Sequence, residues 1–334
     1  MIIVKIFKWV ITAVILLLLI VGVIGATGSS LSLDRDFIYT NTANTLPFFS
    51  SDISTGLVRI SANGYEFRAR IAGIDQDGPT IILLHGFPVT SAMWEPLIMP
   101  LADAGYRVIA FDQRGYSPGA RPNETSAYAI PNLVSDVFAI ADAVGAEEFH
   151  LIGHDWGSAI GWNTVIENPD RVLSWTGLSI AHPSAFADAL QNDPDQQARS
   201  RYFILFVMPW IPETLFTFNN LVALKAVYTG MLFTQQEEYL SVFAEPRAMT
   251  SALNWYRQMG SSFVSAPQES LDINTPTLFI WGNNDPSAGR AAVELQENYM
   301  KGPYRVLELD GDHWLVTSHS AEIIQAVLAH LREN

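Results

Sequence analysis

Residues 153–157 read Gly153-His154-Asp155-Trp156-Gly157. They follow an apolar run at 149–152 and precede a segment, 158–167, patterned as a helix. Gly-x-nucleophile-x-Gly between a strand and a helix is the form of a nucleophile elbow. Its glycines permit a sharp turn that lifts the central side chain clear of the sheet. The central residue here is aspartate where serine is usual. That choice points to chemistry at a saturated carbon. A serine attacking an epoxide forms an ether, which water does not cleave. A carboxylate attacking the same carbon forms an ester, which activated water hydrolyses. The plain alternative is that Asp155 caps the next helix.

A carboxylate nucleophile needs a base for its second step. His313 lies in Asp310-Gly311-Asp312-His313-Trp314, just beyond the last apolar strand, where a loop can carry it over Asp155. There it would deprotonate the attacking water. His85 precedes a glycine at a strand end and reads as structural. His154 is expected to point away from the nucleophile, and His150, His182, His319 and His330 lack a matching context. The base needs an orienting carboxylate. Asp285 follows the strand at 277–281, in Trp281-Gly282-Asn283-Asn284-Asp285-Pro286, and makes the chain order nucleophile, acid, histidine. Its plain alternative is an Asx turn before proline. His85-Gly86-Phe87-Pro88 follows another strand, at 80–84. The backbone N–H groups of Phe87 and Trp156 would form an oxyanion hole for the ester step. Proline after Phe87 also favours a cis bond there.

These groups need a sheet whose strand ends converge. Segments 57–61 and 67–72 flank Ala62-Asn63-Gly64, a hairpin turn. Short apolar strands follow at 80–84, 107–111, 149–152, 172–180, 277–281 and 305–309. Helical patterns occupy 92–104, 131–144, 158–167, 288–299 and 320–332. A hairpin followed by β-α alternation predicts a mostly parallel eight-stranded α/β sheet flanked by helices. Ligands of such sheets bind beyond the carboxyl ends of the strands. The stretch 182–274 breaks the alternation. It is rich in Phe, Leu, Met, Trp and Tyr, with helical spacing at Tyr202, Leu205, Phe206 and Pro209 and again over 221–228. It is expected to be a helical cap inserted after the sixth strand, roofing an apolar pocket. The predicted organisation is therefore 1–28 as an anchor or signal segment, 29–55 as a linker, 56–181 and 275–334 as the core, and 182–274 as the cap.

The chain has 334 residues, is 49% apolar and carries a formal net charge of −15. Such acidity argues against nucleic acid as a partner. There is no cysteine, so disulfides, thiolate catalysis and Cys-based metal sites are excluded. No zinc-type histidine spacing, phosphate loop or fixed repeat occurs, and no metal or cofactor is expected. Residues 9–26 are apolar apart from Thr12 and two glycines, with Lys5 and Lys8 ahead. That length suits an uncleaved membrane anchor better than the shorter apolar region of a signal peptide. Either way the lysines favour a cytoplasmic N-terminus and an extracytoplasmic domain, or a secreted one after cleavage. Composition says nothing of oligomeric state.

From residue 56 onward the chain resembles an epoxide hydrolase of the α/β-hydrolase superfamily. The resemblance rests on His85-Gly86-Phe87-Pro88, Asp112-Gln113-Arg114-Gly115-Tyr116, the elbow, Gly311-Asp312-His313-Trp314 and, most sharply, Ala252-Leu253-Asn254-Trp255-Tyr256-Arg257. The last is similar to the segment in which that family carries a ring-opening tyrosine, here Tyr256. A second family tyrosine stands seven residues before a proline, as Tyr202 stands before Pro209. Two phenols make chemical sense: opening an epoxide expels a basic alkoxide, which an O–H can hydrogen-bond and protonate. The plain alternative is a pair of cap-core aromatics. The resemblance implies an apolar epoxide substrate. Haloalkane and haloacetate dehalogenases, the alternative, use the same Asp nucleophile, but the former usually have Asn where Phe87 stands and the latter Arg after the nucleophile.

Overall fold

The computed structural model describes residues 45–262 and 271–334. The apolar run at 9–26 lies outside them, as does the linker up to residue 44. Among the described residues no helix is long and apolar enough to cross a membrane.

The chain opens with a hairpin, β1 (Gly56–Ala62) and β2 (Tyr65–Ala72), antiparallel with Ala62 opposite Tyr65. Asn63 and Gly64 both take positive φ, 48° and 75°, the turn whose twist suits a two-residue hairpin. Six further strands follow: β3 (Thr80–Leu84), β4 (Arg107–Phe111), β5 (Phe149–His154), β6 (Val172–Leu178), β7 (Thr277–Gly282) and β8 (Tyr304–Leu309). The sheet order is β1-β2-β4-β3-β5-β6-β7-β8, and every pairing from β4 to β8 is parallel. Strands β3, β5 and β7 are buried along their whole length, because helices cover both faces. The expected α/β architecture is thus observed.

Core helices are α1 (Glu95–Asp103), α2 (Ile130–Ala143) and α3 (Trp156–Glu167). Between β6 and β7 the chain leaves the sheet for α4 (Pro183–Asn192), α5 (Pro194–Arg199), α6 (Tyr202–Phe206), α7 (Ile211–Val227), α8 (Phe233–Ala244) and α9 (Ala248–Ser262). It returns for α10 (Arg290–Leu295), α11 (Leu315–Ser318) and α12 (Ser320–Glu333).

Several boundaries differ from the sequence reading. The helix expected over 92–104 starts as a 3₁₀ turn, Ser91–Trp94, capped by Thr90, and becomes α-helical only at Glu95. Pro96 lacks an N–H and is accommodated in a first turn. The sixth strand stops at Leu178, because Ser179 turns to φ 71°. The helix expected over 288–299 is α10 followed by a 3₁₀ turn, Gln296–Tyr299. Helix α7 is broken at Phe218–Leu221, where Asn219, Asn220 and Leu221 are left-handed. The last part of the linker also lies on the sheet. Phe48 bridges Arg59 of β1, and the Arg59 guanidinium sits 3.9 Å above its ring.

The inserted helices dock on the core through buried polar contacts. Glu238 of α8 accepts from Arg68 of β2 at 2.6 Å and from Thr90 Oγ at 2.8 Å, and it pairs with Arg70. Arg68 in turn binds Asp112. Trp255 of α9 donates to the Arg114 carbonyl at 2.9 Å, and Tyr228 to that of Pro88 at 2.5 Å.

Candidate active site

The strand register decides where the reacting groups meet. Leu84 of β3 lies opposite Gly153 of β5, and Gly282 of β7 opposite Leu309 of β8. The loops after these strands therefore leave the sheet on one edge. They carry Phe87, Asp155, Asp285 and His313.

Asp155 takes φ 54° and ψ −119°. A non-glycine residue held in a sparsely populated region of this kind stores about 1–3 kcal/mol, which the packing around it must offset. Close approach, rather than unusual φ, is what the flanking glycines supply. A Cβ on Gly157 would overlap the Leu84 carbonyl, and one on Gly86 would overlap the Asp155 carboxylate. The strained residue of the elbow is the aspartate itself. Asp155 makes no side-chain capping bond to α3, so the plain reading of it as a helix cap is not what the structure contains. Its Oδ1 instead accepts from the Phe87 N–H at 2.8 Å.

Burial raises the pKa of Asp155 above the ordinary carboxylate range, and Asp285 adds to this. His313 and the N–H groups of Phe87 and Trp156 oppose it. The peptide after Phe87 is cis.

His313 Nε2 stands 3.7 Å from Asp155 Oδ2, beyond hydrogen-bond range but facing it. On its other side Nδ1 donates to Asp285 Oδ2 at 2.9 Å. Burial by itself would lower the pKa of His313, but Asp285, Asp155 and Asp312 outweigh it and hold the ring at about 9. Burial likewise pushes Asp285 up. His313, Ser179 and the Ser287 N–H overcome it and bring the acid down to about 2. Asp285 Oδ1 also accepts from Ser287 N–H at 2.7 Å and Ala288 N–H at 3.2 Å, so the Asx turn and the ion pair use the same carboxylate.

From the inserted helices, Tyr256 of α9 and Tyr202 of α6 enter the same space. Their rings lie 6.3 Å apart. The Tyr256 ring meets Trp156 edge-on at 5.0 Å and Phe87 at 5.5 Å. Both phenols are raised above their ordinary pKa, first by burial and then by neighbouring charge that includes Asp155. Both therefore keep their protons at neutral pH. Phe206 of α6 and Phe216 of α7 close the wall against Phe87 at 5.5 and 5.9 Å.

Known proteins resemble this chain in sequence and in fold. The family model described as the α/β hydrolase fold matches residues 79–214. Epoxide hydrolase 4 of Homo sapiens is 32% identical over 302 residues, covering 86% of this chain and 82% of that protein. Epoxide hydrolase A of Mycobacterium tuberculosis is 31% identical, covering 81% of this chain and 96% of that protein. The crystal structure of epoxide hydrolase A from Mycobacterium thermoresistibile superposes with a TM-score of 0.72 at 27% identity, over 84% of this chain and 98% of that one. The chain belongs to the epoxide hydrolases of the α/β-hydrolase superfamily. It is a hydrolase.

Two residues of this epoxide hydrolase site were not anticipated. Ser179 donates to Asp285 Oδ2 at 2.6 Å and lies 3.1 Å from His313 Nδ1. It stands just past β6, inside the span 172–180 expected to be strand, and no local pattern marks it. His154, beside the nucleophile in sequence, is not idle: its Nε2 donates to the His313 carbonyl at 2.9 Å. Burial foremost keeps this ring neutral, with a pKa of about 3. His85, read as structural, accepts from the Gln113 N–H at 3.0 Å. Among the described residues no group of three His, Cys, Asp or Glu side chains could hold a metal ion.

Proposed function

We propose that the enzyme converts an apolar epoxide to a vicinal diol through an ester on Asp155. Asp155 attacks a ring carbon and the ring C–O bond breaks while Tyr202 and Tyr256 both hydrogen-bond the epoxide oxygen, one of them giving it the single proton it needs. His313, oriented by Asp285, then takes a proton from water as it adds to the ester carbonyl. The N–H groups of Phe87 and Trp156 stabilise the oxyanion formed on the Asp155 carboxyl. The observation that carries this reading is the pairing around Asp155. One carboxylate oxygen is bound by the Phe87 N–H at 2.8 Å, and the other faces His313 Nε2 at 3.7 Å. The buried, protonated phenols favour epoxide chemistry, because a tethered alkoxide must be protonated and a departing halide need not be. We also read residues 9–26 as the element that holds the domain at a membrane, on its extracytoplasmic side.

A single turnover in heavy-oxygen water tests the ester. The first diol should carry unlabelled oxygen from Asp155, and label should enter the carboxylate. Label in the first diol would replace the ester with direct attack by water. Release of halide from a haloalkane or haloacetate, with no diol from styrene-oxide-like epoxides, would replace the substrate class with that of a dehalogenase.

A further inference from the structure

Two of the inserted helices, α6 and α7, carry apolar side chains on both their inner and outer sides. Among the described residues, thirteen large apolar side chains are exposed, and ten of them fall between residues 204 and 233. Ile204 is 65% exposed and Phe233 71%. On the first half of α7, Ile211, Leu215 and Phe218 recur at i, i+4 and i+7, one helix face, and all three are exposed. The opposite face of that helix buries Pro212 and Phe216. Helix α6 is divided in the same way: Phe206 packs on Phe87 in the site while Ile204 points to the outside. A helix with this pattern on the surface of a globular domain normally shows a polar outer face. Concentrated exposed apolar area of this kind marks an interaction surface.

Charge identifies the partner. Between residues 200 and 234 the charged residues are Arg201, Glu213 and Lys225, a net +1 in a chain of net −15, and the next acid along the chain is the exposed Glu237. Glu213 is paired with Arg257 at 2.8 Å, while Arg201 and Lys225 are exposed. Among the described residues the exposed apolar side chains are thus concentrated on a stretch that carries little acid, and it includes an exposed indole, Trp210. Apolar side chains with flanking cations and a tryptophan suit the interface of a lipid bilayer.

We infer that the outer face of α6, α7 and the start of α8 lies in the surface of a lipid bilayer, so that an apolar substrate reaches the site from the membrane through a wall one helix thick. The consequence for substrate class follows from that path: epoxides on acyl chains or other molecules that partition into lipid are favoured over water-soluble ones. The inference rests on the proposed function in taking residues 9–26 as the membrane tether and an epoxide as substrate.

The absence of cysteine permits a direct test. The full chain is reconstituted into phosphatidylcholine vesicles with a single cysteine replacing Phe218, Phe233 or, as the control on the amino-end side of the sheet, Asp77. Each is labelled with a nitroxide. The labels at 218 and 233 should be accessible to oxygen and shielded from a water-soluble nickel chelate, and the label at 77 the reverse. Water-like accessibility at 218 and 233 on vesicle-bound enzyme overturns the inference. So does spin–spin broadening at these sites that disappears on dilution with unlabelled enzyme, since a second copy would then cover the face. In a triple variant, Ile204→Glu, Phe218→Glu and Phe233→Glu, turnover of a long-chain epoxide dissolved in the vesicles should fall several-fold relative to a small soluble epoxide. An unchanged ratio also overturns it. Flotation separates the two readings. If the triple variant leaves the vesicles while the parent stays, this face was the tether and residues 9–26 are not. If the parent hydrolyses no epoxide yet its labels lie in lipid, the docking stands without the substrate assignment.

Discussion

On the sheet side of the site, every polar group arrives within four residues of a strand end: Phe87 after β3, Asp155 after β5, Ser179 after β6, Asp285 after β7 and His313 after β8. On the cap side, Tyr202 sits in a five-residue helix and Tyr256 in a longer one, and both are located by ring contacts with Phe206, Phe87 and Trp156. Ladders of backbone hydrogen bonds fix the first set relative to one another, since parallel register leaves no freedom to slide. Side-chain packing fixes the second, and packing yields by degrees. Loss of a sheet-side group should therefore stop a step, whereas loss of a cap group should slow one.

The largest expected effect tests the sheet side. His313→Gln should leave attack by Asp155 possible and suppress ester hydrolysis by about 10³-fold, within the range for general base catalysis. A covalent adduct of enzyme and epoxide should accumulate and appear in the intact-protein mass. Normal turnover by this variant removes His313 from the base role. A graded effect belongs to the cap. Tyr256→Phe should slow alkylation by about tenfold or more, and the double change with Tyr202→Phe by considerably more. Thermal stability should hardly change. Parental ring-opening rates in both single variants would make the phenols mere packing and erase the distinction between the two regions.

The smallest effect is a titration. Asp155 and Asp285 both favour the imidazolium of His313. Asp155→Asn should shift the ring below about 9 towards its ordinary range, and Asp285→Asn should shift it further, because Asp285 is the strongest of the raising influences. Ring-proton resonances followed against pH check this, and identical titration in parent and variants would contradict the arrangement. The sign for stability is set by the same shift. A pKa raised from 6.5 to about 9 gives stabilisation that is complete below 6.5 and lost as pH rises through 9. The parent should thus lose thermal stability over that interval more steeply than His313→Gln does.

The two regions also differed in how far they could be read from residues alone. Strands 80–84 and 107–111 were legible to the residue, since each is five consecutive residues of a buried strand with no competing pattern. The placement of Asp155 and Asp285 was legible because each falls in a short loop after such a strand, and that of His313 because it follows β8, the half-exposed strand at the sheet edge. Ser179 was not, because it falls inside the span expected as strand, 172–180, and leaves it only through its positive φ. Helical spacing was legible over 221–228, the half of α7 beyond its break, but not over the half before it, 211–217. Glu238 reads as an ordinary polar residue of a surface helix, yet it lies between two buried arginines. Its importance depends on β2, which contributes both cations. Cap geometry in general is encoded in pairs of distant side chains, and single-chain periodicity does not register them.

One consequence of the His313 environment concerns timing. In the resting site the negative carboxylate of Asp155 helps keep a proton on the ring that faces it. A protonated ring cannot serve as a base, so water near the free carboxylate is not activated before substrate arrives. Once the carboxylate becomes an ester in the proposed reaction, that negative charge is gone and the ring loses part of its reason to stay protonated. The nucleophile would then act as the arming pin of its own release: alkylation is the event that readies the base, and hydrolysis resets it by restoring the charge.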